Sequence, residues 1–300
     1  MKQLFTALQL FRFAQPIGMT AVTLHEKLLQ SKFSPAGQLE WESMGWIPPF
    51  DGMDTLTLPI GNTIFIAARK QTKMLPASVI NDFVRERVEA IESAEYRKVG
   101  KREKKEIKDE VIKELLPRAL PRNTNTVAYI DIKNNLLAVN TSSRDKAEDI
   151  VSLLRNDLGD LRASPAGLNA APGLFLTKWL TTRVLPLGFQ LGADCRLIYD
   201  TESVTCAQLD LLSDDIHSLV KRYKEVKYLE LIWRDRLSFV LDAGFGIRRI
   251  KFLDTEGSDS SDGGDLWSDL FLMTAAFNEF IPELLDTTTP KDDSTAAGAA

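Results

Sequence analysis

Between Pro76 and Leu116 the chain carries two apolar stripes at helical spacing separated by a charged stretch, and this feature restricts the fold most. Val79, Ile80, Phe83, Val84, Val88 and Ile91 form the first stripe. After a polar, basic middle, Ile107, Val111, Ile112 and Leu115 resume the pattern, and Pro117 ends it, because proline lacks the N–H that a helix needs. A helical hairpin inserted between two αβ pieces is the simplest arrangement.

The flanking segments read as mixed α and β. Phe5 to Phe13 alternates imperfectly, as a strand would, and Thr20 can cap a helix with Ala21, Leu24 and Leu28 on one face. Ile64 to Ala68 reads as a short buried strand, and Val127–Ile132 with Leu136–Asn140 reads as a hairpin turned through Asn134-Asn135. Ser143 caps a helix that runs to Leu158 and stops at Gly159. Tyr228–Trp233, Leu237–Leu241 and Ile247–Leu253 follow as strands. A last apolar helix runs from Leu266 towards Leu285, bent or broken near Pro282. The expected fold class is α+β, with mixed sheets, packed helices and an inserted helical finger. The expected divisions are a central αβ region in two parts (1–75 and 125–165), the finger (76–124), a base αβ region (166–285) and a disordered tail (286–300).

At 300 residues the chain can bury a large core. Met1 to Phe13 has no uninterrupted apolar stretch, and no segment approaches the roughly 20 apolar residues that span a bilayer. Cys195 and Cys206 are too few for a disulfide framework and match no zinc spacing, so they read as buried thiols in the cytosol. The net charge of −5 lacks the basic excess usual for a nucleic-acid binder, so any such role requires local positive charge. Arg97 to Arg122 supplies it. Arg97, Lys98, Lys101, Arg102, Lys104, Lys105, Lys108, Lys113, Arg118 and Arg122 stand against Glu103, Glu106, Asp109, Glu110 and Glu114. Helical spacing puts Arg97, Lys101, Lys104 or Lys105, and Lys108 on one stripe. A solvated face, with the glutamates pairing their neighbours, is the competing reading. A second basic group, Lys221, Arg222, Lys224 and Lys227, precedes Arg234 and Arg236, and simple surface charge competes there too. Asp254 to Asp269 is acidic without a basic residue and reads as a mobile loop.

Other signals weaken on inspection. Gly244-Phe245-Gly246 lacks the third glycine of a nucleotide loop and reads as a hairpin turn, and no Gly-x-x-x-x-Gly-Lys-Ser/Thr run is present. His25 and His217 have no metal-ligand spacing, and Asp214 and Asp215, adjacent on a helix, point apart. Trp41, Trp46, Trp179, Trp233 and Trp267 are scattered, which favours packing over base stacking. Asn140-Thr141-Ser142 matches a glycosylation sequon that a cytosolic setting makes irrelevant. No cofactor, metal or catalytic group is expected.

Several runs, taken together and in order, resemble the RdgC family. They are Met44-Gly45-Trp46-Ile47-Pro48-Pro49, Ala68-Arg69-Lys70, Met74-Leu75-Pro76-Ala77-Ser78-Val79-Ile80, Ile107-Lys108-Asp109-Glu110-Val111 and Leu115-Leu116-Pro117-Arg118-Ala119. Lys146-Ala147-Glu148-Asp149, Leu153-Leu154-Arg155, Leu176-Thr177-Lys178-Trp179 and Gly188-Phe189-Gln190-Leu191 continue the series. The resemblance implies a homodimer closed into a ring, with fingers meeting on one side and base regions on the other, around duplex DNA bound without sequence readout. It implies a cytoplasmic, nucleoid-associated protein that restrains recombinase filaments. Arg118 lies in a matched run; Leu120 takes the fingertip dimer contact, where the family commonly has an aromatic. The expected function is sequence-nonspecific duplex-DNA binding that limits recombinase access, by occupancy and without bond chemistry. The alternative is a protein-interaction scaffold using the acidic loop and the finger, with incidental DNA binding. A nuclease would need metal-binding carboxylates that the sequence does not assemble.

Overall fold

The structure, a computed structural model, describes residues 4–167, 172–253 and 266–288. Strand β1 (Ala7–Phe13) buries residues on both faces, which explains its imperfect alternation: apolar side chains are needed on each side of it. Helix α1 (Ala21–Leu28) starts in a capping box, with Thr20 and Thr23 each bonding the other's backbone N–H, and buries Leu24 and Leu28. Strands β2 (Glu42–Ile47), β3 (Thr57–Ile60) and β4 (Thr63–Met74) follow. The expected short strand Ile64–Ala68 is thus the inner half of a 12-residue one. Its outer half, Arg69 to Met74, is mostly polar and gives no hydrophobic signal. It is held by pairing on both sides and by Lys73, whose ammonium donates to the carbonyls of Gly37 (2.6 Å) and Gln38 (2.7 Å).

Helices α2 (Ala77–Glu95) and α3 (Lys101–Leu115) leave the sheet at the end of β4 and return it to β5 (Leu120–Asp131). The segment 76–124 is therefore helical only through the 3-10 turn Leu116–Arg118; Leu120 to Thr124 belong to the strand. Leu120 sits opposite Met74 and Arg122 opposite Thr72, at the foot of the helix pair and away from its far turn. β6 (Leu136–Val139) closes the expected hairpin on β5, with Asn135 at φ 53° and the Asp131 carboxylate accepting from Asn134. α4 (Arg144–Leu158) has its cap at Ser143 and its stop at Gly159, φ 77°.

The second half begins with β7 (Ala163–Pro165) and α5 (Pro172–Thr182), then β8 (Phe189–Tyr199), β9 (Glu202–Cys206) and α6 (Asp214–Tyr223). It ends with β10 (Glu225–Trp233), β11 (Leu237–Asp242), β12 (Ile247–Phe252) and α7 (Leu266–Thr288). Gly244-Phe245-Gly246 is the expected turn between β11 and β12, organised by Asp242, whose carboxylate accepts from the N–H groups of Gly244 (2.9 Å) and Gly246 (2.8 Å). α7 is not broken at Pro282. The missing N–H removes one helical bond, but Phe277, Phe280, Ile281, Leu284 and Leu285 stay buried across the proline, and packing holds the helix together. α7 also takes in Asp286 to Thr288, which the expected tail had claimed. Of the acidic stretch, residues 254–265 lie outside the described residues, as do 289–300 of the tail.

The fold is α+β, with seven α-helices and a 12-stranded sheet among the described residues. The strand order is β2-β4-β5-β6-β1-β12-β11-β10-β8-β9, with β3 added on β4 and β7 on β1, and every pairing is antiparallel. β1 joins the halves: Ala7 and Leu8 pair with β12, and Gln9 to Arg12 with β6. One core packs α1 and α4 on Ile64, Ile66 and Trp46; another runs from Phe65 and Tyr129 through Phe277 into the C-terminal half. The helix pair has a small core of its own, Ile80, Val84, Ile107, Val111 and Leu115. No helix of the described residues is long and apolar enough to cross a membrane.

Candidate nucleic-acid interface

The charge on the helix pair is sorted by helical geometry. With Ile107, Val111 and Leu115 turned to α2, 3.6 residues per turn puts Lys101, Lys105 and Lys108 on one flank of α3 and Glu103, Glu106, Glu110 and Glu114 on the other, while Lys104 lies in line with the apolar stripe and its charge acts on Glu92 of α2. The acidic flank is matched: Arg87 of α2 pairs with Glu110 and Glu114. The lysine flank forms no ion pair among the described residues and is exposed. So the mixed-charge run has a lysine side and a glutamate side in space, with Arg102, Asp109 and Lys113 on the outer face between them.

Arg97 and Lys98 do not join the lysine strip. α3 begins at Lys101, so both lie in the turn after α2, where Tyr96 adopts a left-handed φ of 50°. Arg97 grips Glu103 in a fork (2.7 and 2.6 Å) and bonds Glu95 at 2.5 Å. Lys98 bonds Glu92 at 2.8 Å, and Glu92 also accepts from the Val99 N–H. These pairings raise the Arg97 guanidinium above its usual range, through Glu103 first and Glu95 second, and hold Glu103 and Glu92 below the ordinary carboxylate range. Arg102 pairs with Glu106 at 3.2 Å, one turn along α3. For Arg97, Lys98 and Arg102 the solvated-face arrangement is the one observed. Arg118, in the 3-10 turn, and Arg122, on β5, are exposed and without an ion pair among the described residues.

The second basic group is dispersed by its surroundings. Lys221 and Arg222 end α6 about 100° apart around its axis, Arg222 lying 5.8 Å from the Tyr223 ring. Lys224 is left-handed (φ 65°) and its ammonium sits 5.5 Å from the Tyr199 ring. Lys227 stands exposed on β10. Arg234 and Arg236 are taken up by Glu279 and Glu283 of α7 and by the Trp233 ring. Arg12 on β1 and Lys251 on β12 are also exposed and without an ion pair among the described residues; isolated in sequence, neither gave a signal.

The remaining candidates are structural. His25 Nδ1 accepts from the Leu56 N–H at 3.0 Å, tying α1 to the approach to β3. Asp214 is held below its usual range by Arg183, which donates to it at 2.9 Å. Trp46, Trp179 and Trp233 are core residues. Among the described residues no group of three or more His, Cys, Asp or Glu side chains is placed to hold a metal ion.

Comparison with known proteins places these features in a lineage. Residues 3–289 match the family model described as "Putative exonuclease, RdgC". A protein named "Recombination-associated protein RdgC" from Psychromonas ingrahamii is 38% identical over 291 residues, covering 94% of this chain and 96% of that protein. Proteins of the same name from Aeromonas hydrophila and Tolumonas auensis are 36% and 35% identical, covering 93% and 94% of this chain and 96% of each relative. The names of these relatives refer to recombination and carry no catalytic term, whereas the description of the family model does.

Proposed function

The chain belongs to the RdgC family of recombination-associated proteins, and from that premise we propose that it binds double-stranded DNA without reading base sequence, as a ring-forming homodimer that limits recombinase access. The observation that carries this reading is the lysine strip of α3. Lys101, Lys105 and Lys108 rise along one side of a helix, exposed and without an ion pair among the described residues, with Lys104 beside them towards Glu92. Ammonium groups so spaced neutralise successive phosphates and release counterions, a source of affinity that carries no sequence information. Arg118 and Arg122 extend the positive charge to the foot of the helix pair. The location that suits this role is the cytoplasm, on the nucleoid.

Self-association is supported by an apolar surface at that same foot. Leu120 is 75% exposed and Met74, directly across the ladder, 54% exposed; Val79 and Phe83 follow, exposed, one turn apart on α2. Unpartnered apolar side chains grouped in this way are what a second copy would cover. Leu120→Asp is expected to shift the protein from dimer towards monomer in sedimentation velocity at micromolar concentration. An unchanged dimer would place self-association elsewhere.

Fluorescence anisotropy on two unrelated duplexes of equal length, each across a salt series, tests the DNA reading. Equal affinities are expected, with a shared steep slope to which each neutralised phosphate contributes about −0.9 on a log–log plot. Sequence-selective binding with a shallow slope, or no binding at low salt, would overturn it. The same mixtures with magnesium examine the exonuclease description carried by the family model: shortening of the duplex by purified protein would give that reading the lead.

A further inference from the structure

The chain has two cysteines, and the fold brings them together. Cys195 on β8 is the register partner of Cys206 on β9, and the two are 0% and 3% exposed. Directly opposed residues of an antiparallel pair stand about 4.5–5.5 Å apart, inside the usual Cα separation of a disulfide, roughly 4.4–6.8 Å. β9 ends the strand order and, among the described residues, pairs with β8 alone, so freeing Cys206 means loosening a single ladder.

We propose that Cys195 and Cys206 are a redox-active dithiol which a low-molecular-weight disulfide converts to an intrachain cross-strand disulfide, clamping β9 to β8. In the first step the Cys206 thiolate attacks one sulfur of the small disulfide, forming a mixed disulfide and expelling one small thiolate. The Cys195 thiolate then attacks the Cys206 sulfur and expels the second. The pair loses two protons and two electrons, and the small disulfide becomes two thiols. Both sulfurs are buried, so a small disulfide reaches Cys206 only when β9 opens, and burial, then the neighbouring Cys206, push the Cys195 thiol up to about 12. The clamp would also fix one wall of a groove, since β8 ends in Tyr199, which faces Lys224 across from Lys178 and Thr181 of α5.

The full chain incubated with oxidised glutathione, then denatured in acid and alkylated, gives a direct readout by intact mass. The expected product is a single chain lighter by two hydrogen atoms and carrying no alkyl group, formed at a rate that levels off as glutathione disulfide is raised. Cys206→Ser is expected to abolish that product and leave Cys195 open to alkylation after denaturation. Both thiols alkylated in the parent, a persistent glutathione adduct, a chain-to-chain crosslink, or closure only in denaturant would each overturn the proposal.

Discussion

Replacing Lys101, Lys105 and Lys108 together with glutamine is expected to weaken duplex binding on the order of 100-fold at low salt and to flatten the salt slope by roughly 2.7, three contacts at about 0.9 each. The three ammonium groups are exposed and form no ion pair among the described residues, and glutamine is neutral, one atom shorter and similar in helix propensity. Their exposure means the fold should persist, which circular dichroism would check. The informative contrast is Arg97→Gln with Lys98→Gln. Those cations are held by Glu103, Glu95 and Glu92, so their loss should alter the turn between α2 and α3 and change affinity only slightly. If the two variants bind alike, the strip on α3 is a solvated face and the DNA contacts lie elsewhere.

Trp46→Ala is expected to cost about 3–5 kcal/mol of folding stability, a large share of the roughly 5–15 kcal/mol that a folded protein has to lose. Trp46 is 0% exposed, and its indole N–H donates to the Asp157 carboxylate at 2.5 Å. Truncation opens a cavity between β2 and α4 and leaves Asp157 with Ser31 as its remaining hydrogen-bond partner. The neighbouring Gly45 is as constrained: a Cβ there would stand 2.5 Å from the Phe33 Cα, too close for any side chain without moving backbone. Urea unfolding of Trp46→Ala beside Trp46→Phe, which keeps most of the volume, separates the cavity from the lost hydrogen bond. A change below about 1 kcal/mol in the alanine variant would mean the site collapses around the gap. Gly45 and Trp46, in one of the runs that carry the family likeness, are accounted for by packing.

What could be read beforehand depended on whether local sequence or distant partners decided the outcome. The caps at Thr20 and Ser143, the stop at Gly159 and the Asn134-Asn135 turn were legible because each is settled within a few residues. The outer half of β4 was not, since Arg69 to Met74 owe their extended form to β2 and β5 and not to their own propensity. Pro282 misled for the same reason, tertiary burial outweighing a local breaker. In the candidate site, spacing identified the lysine stripe but wrongly added Arg97, because the position of the turn at Tyr96 to Gly100 determines which cations belong to α3 and which are claimed by glutamates.

The position of β1 at the centre of the sheet has a consequence for the birth of the protein. Ala7 is made long before its partner Arg248, and β6 lies between them in time. β7 covers the Phe11–Phe13 end of the β1 edge facing β12, but until β12 arrives Ala7 and Leu8 have no neighbour there, so the nascent chain carries an open strand end from β1 to β12. Such late-closing topology slows folding and exposes the chain to pairing with other chains. A truncation before Ile247 therefore leaves the N-terminal half lacking its central neighbour, in addition to removing the C-terminal elements.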